Sequence, residues 1–451
     1  MSINSLPSKV LANIFELVLR SQHCCFQRED HAKELRLMYP ELLSHVCTHW
    51  RTIAINSHTL WSHIDLIPLH ETHEVVENLL ARAKIFVARS SSIELEVHLY
   101  EPDPARAEPI DTNLTTFCTS IAPRTWSLQL ETLFQRDHLP ILESCLAYSS
   151  SGLLKELSLT DREGQAHGYI ESKRSSTNTR NWLLDMAPQA LEDLLLPVQF
   201  LRLDGVYFKL DSQAYHGLVE LAIIPAWEVP RVTDSRLVQI LESCPQLRAL
   251  YVGLFVLGAD FNHPPRSLPV VHLDQLEILN VIPMRESRPE HLLRLIAPGS
   301  KPLRFMVGAE ADMMELLRSK EYHEFFARSN VTELLLHGEN SATLNLCELL
   351  EFCPSLRAVS LKGVDLRKPC TQDIGSSRLE TLCLLECKVD PADFGWMKRT
   401  EFAKIPVLKM WDCTIESQDG GSMAMSDIFP KRIDVPPTGS VSNDGNLFVW
   451  G

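Results

Sequence analysis

Positive charge is scarce in this chain: 43 Lys and Arg face 58 Asp and Glu, a formal net charge of −15 over 451 residues. Such a balance makes a phosphate-tracking nucleic-acid binder a poor fit. Long apolar runs are also missing. The longest, such as Ala249–Leu257, fall far short of the ~20 residues a membrane helix needs. Neither nucleic acid nor membrane is therefore expected as a partner. The 12 cysteines are spread thinly, without the dense spacing of a disulfide framework. The opening Met1–Pro7 has no basic stretch ahead of an apolar one. Together these features lead to the expectation of reduced thiols and an intracellular protein, cytoplasmic or nuclear.

Signatures of catalysis are missing too. The chain contains no G-x-G-x-x-G, Walker A, G-x-S-x-G or H-E-x-x-H pattern. His70-Glu71-Thr72-His73 is one residue too short to put both histidines on one helical face. His45, Cys47 and His49 diverge if they share a helix. Cys24-Cys25 beside His23 has no second Cys/His pair near enough in sequence to complete a site. No catalytic residue, no cofactor and no metal site are expected, and the chain does not read as an enzyme.

Repeats dominate what is present. Ile240-Leu-Glu-Ser-Cys-Pro-Gln-Leu-Arg-Ala-Leu-Tyr-Val-Gly253 closely resembles Leu349-Leu-Glu-Phe-Cys-Pro-Ser-Leu-Arg-Ala-Val-Ser-Leu-Lys-Gly363, and Ile141–Cys145 followed by Leu154–Leu159 is a weaker third copy. L-x-x-L-x-L patterns, with any apolar residue allowed, start at Leu154, Val198, Leu218, Leu247, Leu276, Val331, Leu356, Leu379 and Leu408, with a degenerate start at Leu303. After a first gap of 44 residues the spacings are 20–29, the period of leucine-rich repeats. Helices are expected between them: Thr233-Asp234 capping Leu237–Leu241, Asp312 before Met313–Phe326, and Ser341 before Leu344–Phe352. The fold class expected is α/β, an irregular leucine-rich-repeat solenoid over 121–414 with a parallel inner sheet and outer helices. Irregularity follows from the Asn/Cys position after each strand, which holds Arg162, Val206, Phe255, Val364 and one cysteine, Cys387.

Residues 66–120 read as a connecting region. Within it Ile93–Leu99 alternates strictly, as a half-buried strand does, and Glu101–Pro109 is Pro-rich and charged. Residues 415–451 turn Gly/Ser/Asp/Pro-rich and are expected to be a largely disordered tail.

The N-terminal 1–65 carry the most specific pattern. Val10, Leu11, Ile14, Phe15, Val18 and Leu19 fall on one broad helical face behind Leu6-Pro7. Glu41–Ile55 spaces Leu42, Leu43, Val46, Cys47, Trp50, Ile53 and Ala54 by three and four, and Leu60-Trp61 follows. So small a unit cannot bury that much apolar surface internally, so a protein partner is expected. Leu6-Pro7-x-x-Val10-Leu11-x-x-Ile14-Phe15, then Val46-Cys47-x-x-Trp50-Arg51-x-Ile53-Ala54, then Leu60-Trp61, resembles an F-box. The chain is similar in particular to fungal F-box proteins whose box is followed by leucine-rich repeats. It departs from them in Lys9, where an acidic residue is common, and in an insertion over 22–37.

The resemblance implies a helical module that binds a Skp1-like linker protein and, through it, a cullin. The chain would then be the substrate adaptor of an SCF ubiquitin ligase. Carried onto this sequence, Leu6, Pro7, Val10, Leu11, Ile14, Val46, Trp50 and Trp61 would form the Skp1-facing and adjoining core surface. The repeats would hold an unknown protein substrate on outward strand positions, with Arg202, Asp204, Tyr251, Asn280, Glu333, His337 and Lys362 as candidates, alongside Glu156, Ser158, Glu220 and Asp412. The alternative reading is a repeat-based interaction module that does not direct ubiquitination.

Overall fold

Each L-x-x-L-x-L pattern puts its last two apolar residues on one face of a strand, and packing that face against helices makes a parallel sheet. The computed structural model describes residues 3, 6–21, 40–67, 73–100, 112–132, 139–161, 169–174, 181–225, 230–257, 269–282, 289–309, 313–366, 379–389, 407–411 and 413–415. The 22–37 insertion, the Glu101–Pro109 stretch, the Cys24-Cys25 pair, Asp412 and the 416–451 part of the tail lie outside the described residues. The chain is a mixed α/β protein that divides into two units.

The first unit opens with three helices, α1 (Ser8–Ser21), α2 (Glu41–Val46) and α3 (Thr48–Asn56). Its parallel strands follow in sequence order: β1 (His63–Leu66), β2 (Leu95–Tyr100), β3 (Thr125–Thr132), β4 (Glu156–Asp161), β5 (Phe200–Asp204) and β6 (Glu220–Ile224). Helices α4 (His73–Arg89), α5 (Thr112–Ile121) and α6 (Leu139–Ala147) make the first crossovers. The sheet thus enters at His63, well ahead of the 121 boundary that the repeat spacing suggests. Ile64, Val97, Leu128, Leu157, Leu201 and Leu221 stand opposite one another in register and are all buried. That apolar row is the core of the unit.

The second unit repeats the scheme with β7 (Ala249–Val252), β8 (Ile278–Val281), β9 (Leu303–Ala309), β10 (Val331–Thr343), β11 (Ala358–Asp365), β12 (Thr381–Leu385) and β13 (Val407–Trp411), all parallel. The degenerate start at Leu303 has a structural cause. Leu303 pairs with Val331, but the register shifts before Arg304, so a motif one residue short still aligns Phe305 with Leu334. The last motif starts earlier than its spacing suggests. Leu408 stands opposite Leu382, the second apolar position of the preceding motif.

That register corrects a reading of the cysteines. Cys387 Sγ donates to the Leu361 carbonyl at 3.3 Å, and Cys413 Sγ donates to the Leu384 carbonyl at 3.4 Å. Two successive thiols, not one, therefore bind back to the strand before their own.

Three expected helices differ in detail. Glu41–Ile55 is broken at Cys47, whose extended backbone starts a new helix and whose Sγ accepts from Trp50 N–H. His45 and His49 consequently sit on separate helices. Met313–Phe326 is two helices, Met313–Leu317 and Lys320–Arg328. Ser341 lies within β10, and Asn345 instead caps Leu346–Phe352 by accepting from Glu348 N–H. Thr233 caps Asp234–Glu242 as expected, accepting from Arg236 N–H. Among the described residues no helix is long and apolar enough to cross a membrane.

Candidate functional site: an apolar helical face and a polar strand face

The helical module closes its own core with few residues. Leu11 and Phe15, one turn apart on α1, are buried, and the Phe15 ring meets Trp50 at 4.9 Å between centroids. Ile53, Ala54 and Trp61 are buried as well. The broad apolar face expected of α1 is therefore split. Leu11 and Phe15 point inward, Ile14 and Leu19 are half-buried, and Val10 (42% exposed) and Val18 remain in solvent, joined by Leu17 (65%). On α2, Leu43 is buried, while Leu42 and Val46 (58%), one turn apart, are exposed.

Of the residues carried over from the F-box pattern, Pro7, Val10 and Val46 stand on the surface and Leu6, Ile14 and Trp50 are half-buried. Leu11 and Trp61 are core and cannot reach a partner without unfolding the module. A Glu41–Arg82 ion pair at 3.0 Å ties α2 to α4.

The second surface is the face of the first unit's sheet opposite its apolar row. Side chains alternate along a strand, so register alone assembles it. One rung reads His63, Glu96, Ser127, Glu156, Phe200, Glu220, and the next Asp65, His98, Gln129, Ser158, Arg202. Glu131, Thr160 and Asp204 continue a third. Arg202 and Asp204 are brought together, with Nη2 3.8 Å from Oδ2. Across Glu156, Glu220 and Asp204, burial is the largest influence on the carboxyls. Burial pushes the Glu156 carboxyl up, with Glu96 and Glu220 adding to the shift. Burial likewise raises Glu220 against the pull of Arg202. Asp204 is pushed up to about 6 by burial, which Arg202 opposes and Glu131 and Asp161 reinforce.

Asp204 yields a pH prediction. Its folded-state affinity for a proton exceeds that of an unfolded Asp near 3.9, so its contribution to stability is fully present below about pH 4 and is lost as pH rises through about 6. Asp204→Asn removes that loss. After allowance for partial exposure and the forfeited Arg202 contact, the variant should be more stable than wild type by about 1–2 kcal/mol at pH 7, with the gap closing toward pH 4. Denaturation midpoints at pH 4, 5.5 and 7 check this; an equal gap at all three pH values would refute the assignment.

At the start of the same face a cluster escaped sequence reasoning. His63 Nε2 lies 2.8 Å from Asp65 Oδ1, and His98 Nδ1 lies 3.6 Å from the same oxygen. Glu96 Oε2 is 3.2 Å from His63 Nδ1, and Glu131 Oε1 is 3.7 Å from His98 Nε2. Burial would raise Asp65, but charge and hydrogen bonding from His63 and His98 outweigh it and hold its carboxyl well below the usual range. A hydrogen bond from His63 lowers Glu96 against burial. The sequence signal was His63-x-Asp65 two residues after Trp61, with His98 on the polar side of the alternating Ile93–Leu99 stretch.

In the second unit, Tyr251 and Asn280 are opposite each other in register, as are His337 and Lys362. Glu333 is held by Arg304 Nε at 2.6 Å, and Lys362 Nζ is 3.9 Å from Glu386. The candidates thus share strand faces within each unit, but many already have partners of their own. No protein-family model matches the chain, and no curated protein matches it.

Proposed function

We propose that this chain is the substrate-recognition adaptor of an SCF ubiquitin ligase: an F-box that binds a Skp1-like protein, followed by an irregular leucine-rich-repeat solenoid that holds a protein substrate. The observation that carries the reading is the exposed apolar set Val10, Leu17, Val18, Leu42 and Val46 on α1 and α2. The module's core is closed without them, so their exposure is unfavourable unless a partner covers it. The Leu6-Pro7, Trp50 and Trp61 pattern supports an F-box as the module that presents them. Successive parallel strands of L-x-x-L-x-L type, with Cys387 and Cys413 bonding back to the preceding strand, support the repeat reading. The adaptor catalyses nothing itself. It raises the effective concentration of a substrate beside a charged ubiquitin carrier.

Exposure selects the variants that test it. Val10→Asp/Val46→Asp places two charges on the surface without emptying the core. Co-expressed with Skp1, wild type should co-purify with it and the variant should lose at least about 100-fold in affinity, as expected when hot-spot contacts are replaced by desolvated charge. Circular dichroism should be unchanged. Wild type that ignores Skp1 would sink the proposal. Skp1 binding without cullin recruitment would favour the interaction module that does not direct ubiquitination.

A further inference from the structure

We propose that His63, Asp65 and His98 form a binding site for one divalent transition-metal ion of the zinc type, at the first two strands of the first unit. The site is independent of the adaptor reading: none of its residues belongs to the exposed helical face.

The arrangement follows from strand geometry. His63 and Asp65 are two residues apart on β1 and so share a face, and the parallel register places His98 directly opposite Asp65. One donor atom from each of the three lies within 4.8 Å of the other two. Zinc bonded to imidazole nitrogen and carboxylate oxygen at about 2.0–2.2 Å sets tetrahedral neighbours about 3.3 Å apart. The His63–Asp65 separation of 2.8 Å and the His98–Asp65 separation of 3.6 Å bracket that value. The two imidazole donors lie within 4.8 Å of each other, so drawing them together onto one ion would complete the three-point set and leave a position for water.

The outer contacts match those of a metal centre. With the ion on His63 Nε2 and His98 Nδ1, the remaining ring nitrogens face Glu96 at 3.2 Å and Glu131 at 3.7 Å. A carboxylate behind each ligating imidazole fixes its tautomer and raises its basicity. His98 is only 1% exposed, so its ring is held in place by the sheet rather than by solvent. Two imidazoles and one carboxylate suit zinc and its first-row neighbours, whereas magnesium and calcium prefer all-oxygen shells. The competing account is an ion-pair cluster, with protonated histidines neutralising Asp65, Glu96 and Glu131.

The two accounts separate by titration of the full-length, chelator-treated chain at neutral pH. Zinc should bind at one equivalent more tightly than about 100 μM, a loose threshold for a three-ligand site, and cobalt should give a visible spectrum without a thiolate charge-transfer band. Glu96→Gln should weaken zinc by about 10–100-fold, and His63→Asn by more. Both residues are partly exposed, so these variants test the site even if a change at buried His98 fails to fold. Zinc bound as well by His63→Asn as by wild type, a thiolate band, or affinity weaker than the threshold would each overturn the proposal.

Discussion

Trp61→Ala should destabilise the first unit by about 3–5 kcal/mol, among the largest effects expected of any single truncation in the chain. The indole is fully buried and donates its N–H to the Ala54 carbonyl at 2.8 Å. Phe86 of α4 meets it edge-on at 5.0 Å, and the Arg89 guanidinium lies 4.3 Å over its face. One side chain therefore joins α3, α4 and the residues that lead into β1. Removing it leaves a cavity bounded by three elements, none of which can collapse without moving another. Hydrogen exchange should show lost protection in Thr48–Asn56 and His73–Arg89, and Trp61→Phe should retain most of it. Unchanged protection in the alanine variant would show that the junction does not depend on this residue.

This expectation bears on the partner. Trp61→Ala would abolish the proposed Skp1 capture whether or not Trp61 lay near an interface, because the module presenting Val10 and Val46 would loosen. Loss of binding in that variant is uninformative, while loss in Val10→Asp/Val46→Asp with the fold intact is specific. Residue types in the F-box pattern do not separate the two roles. Leu11 and Val10 are neighbours of similar character, and only packing sends one inward and leaves the other in solvent.

The strands were legible where the apolar spacing is regular. Leu154, Leu157 and Leu159 announce β4, and Leu276, Leu279 and Val281 announce β8, because burial fixes both alternation and register. The pattern was harder to see in the first three strands. Trp61 replaces leucine in Trp61-x-x-Ile64-x-Leu66, Thr125 is polar in Thr125-x-x-Leu128-x-Leu130, and a register shift after Leu95 shortens the spacing before Val97. The polar face was legible strand by strand, as candidates such as Arg202 and Asp204 illustrate. The histidine cluster was not, because it needs the pairing of β1 with β2, a non-local contact that no local period encodes.

A second large effect belongs to Gly363. Its φ of +66° lies in the left-handed region, where a Cβ costs roughly 1–2 kcal/mol. A Cβ added there would also sit 2.4 Å from the Gly338 carbonyl oxygen, a backbone atom that no rotamer change can move aside. The close approach arises because β10 and β11 change register here: His337 pairs with Lys362 and Ala342 with Val364, so Gly338–Ser341 stand against Gly363 alone. Gly363→Ala should therefore cost at least about 3 kcal/mol, the strain of φ plus a forced separation of the two strands. Gly152 provides the control, since its φ is +82° with nothing within 4 Å of an added Cβ. Gly152→Ala carries the conformational cost without the collision and should lose about 1–2 kcal/mol. Urea unfolding of both variants decides the matter: equal losses would mean that the strands do not approach so closely at Gly363. A larger loss at Gly363 would identify this bulge as the feature that holds β10 and β11 in the register setting His337 opposite Lys362, and with it the polar surface those two residues share.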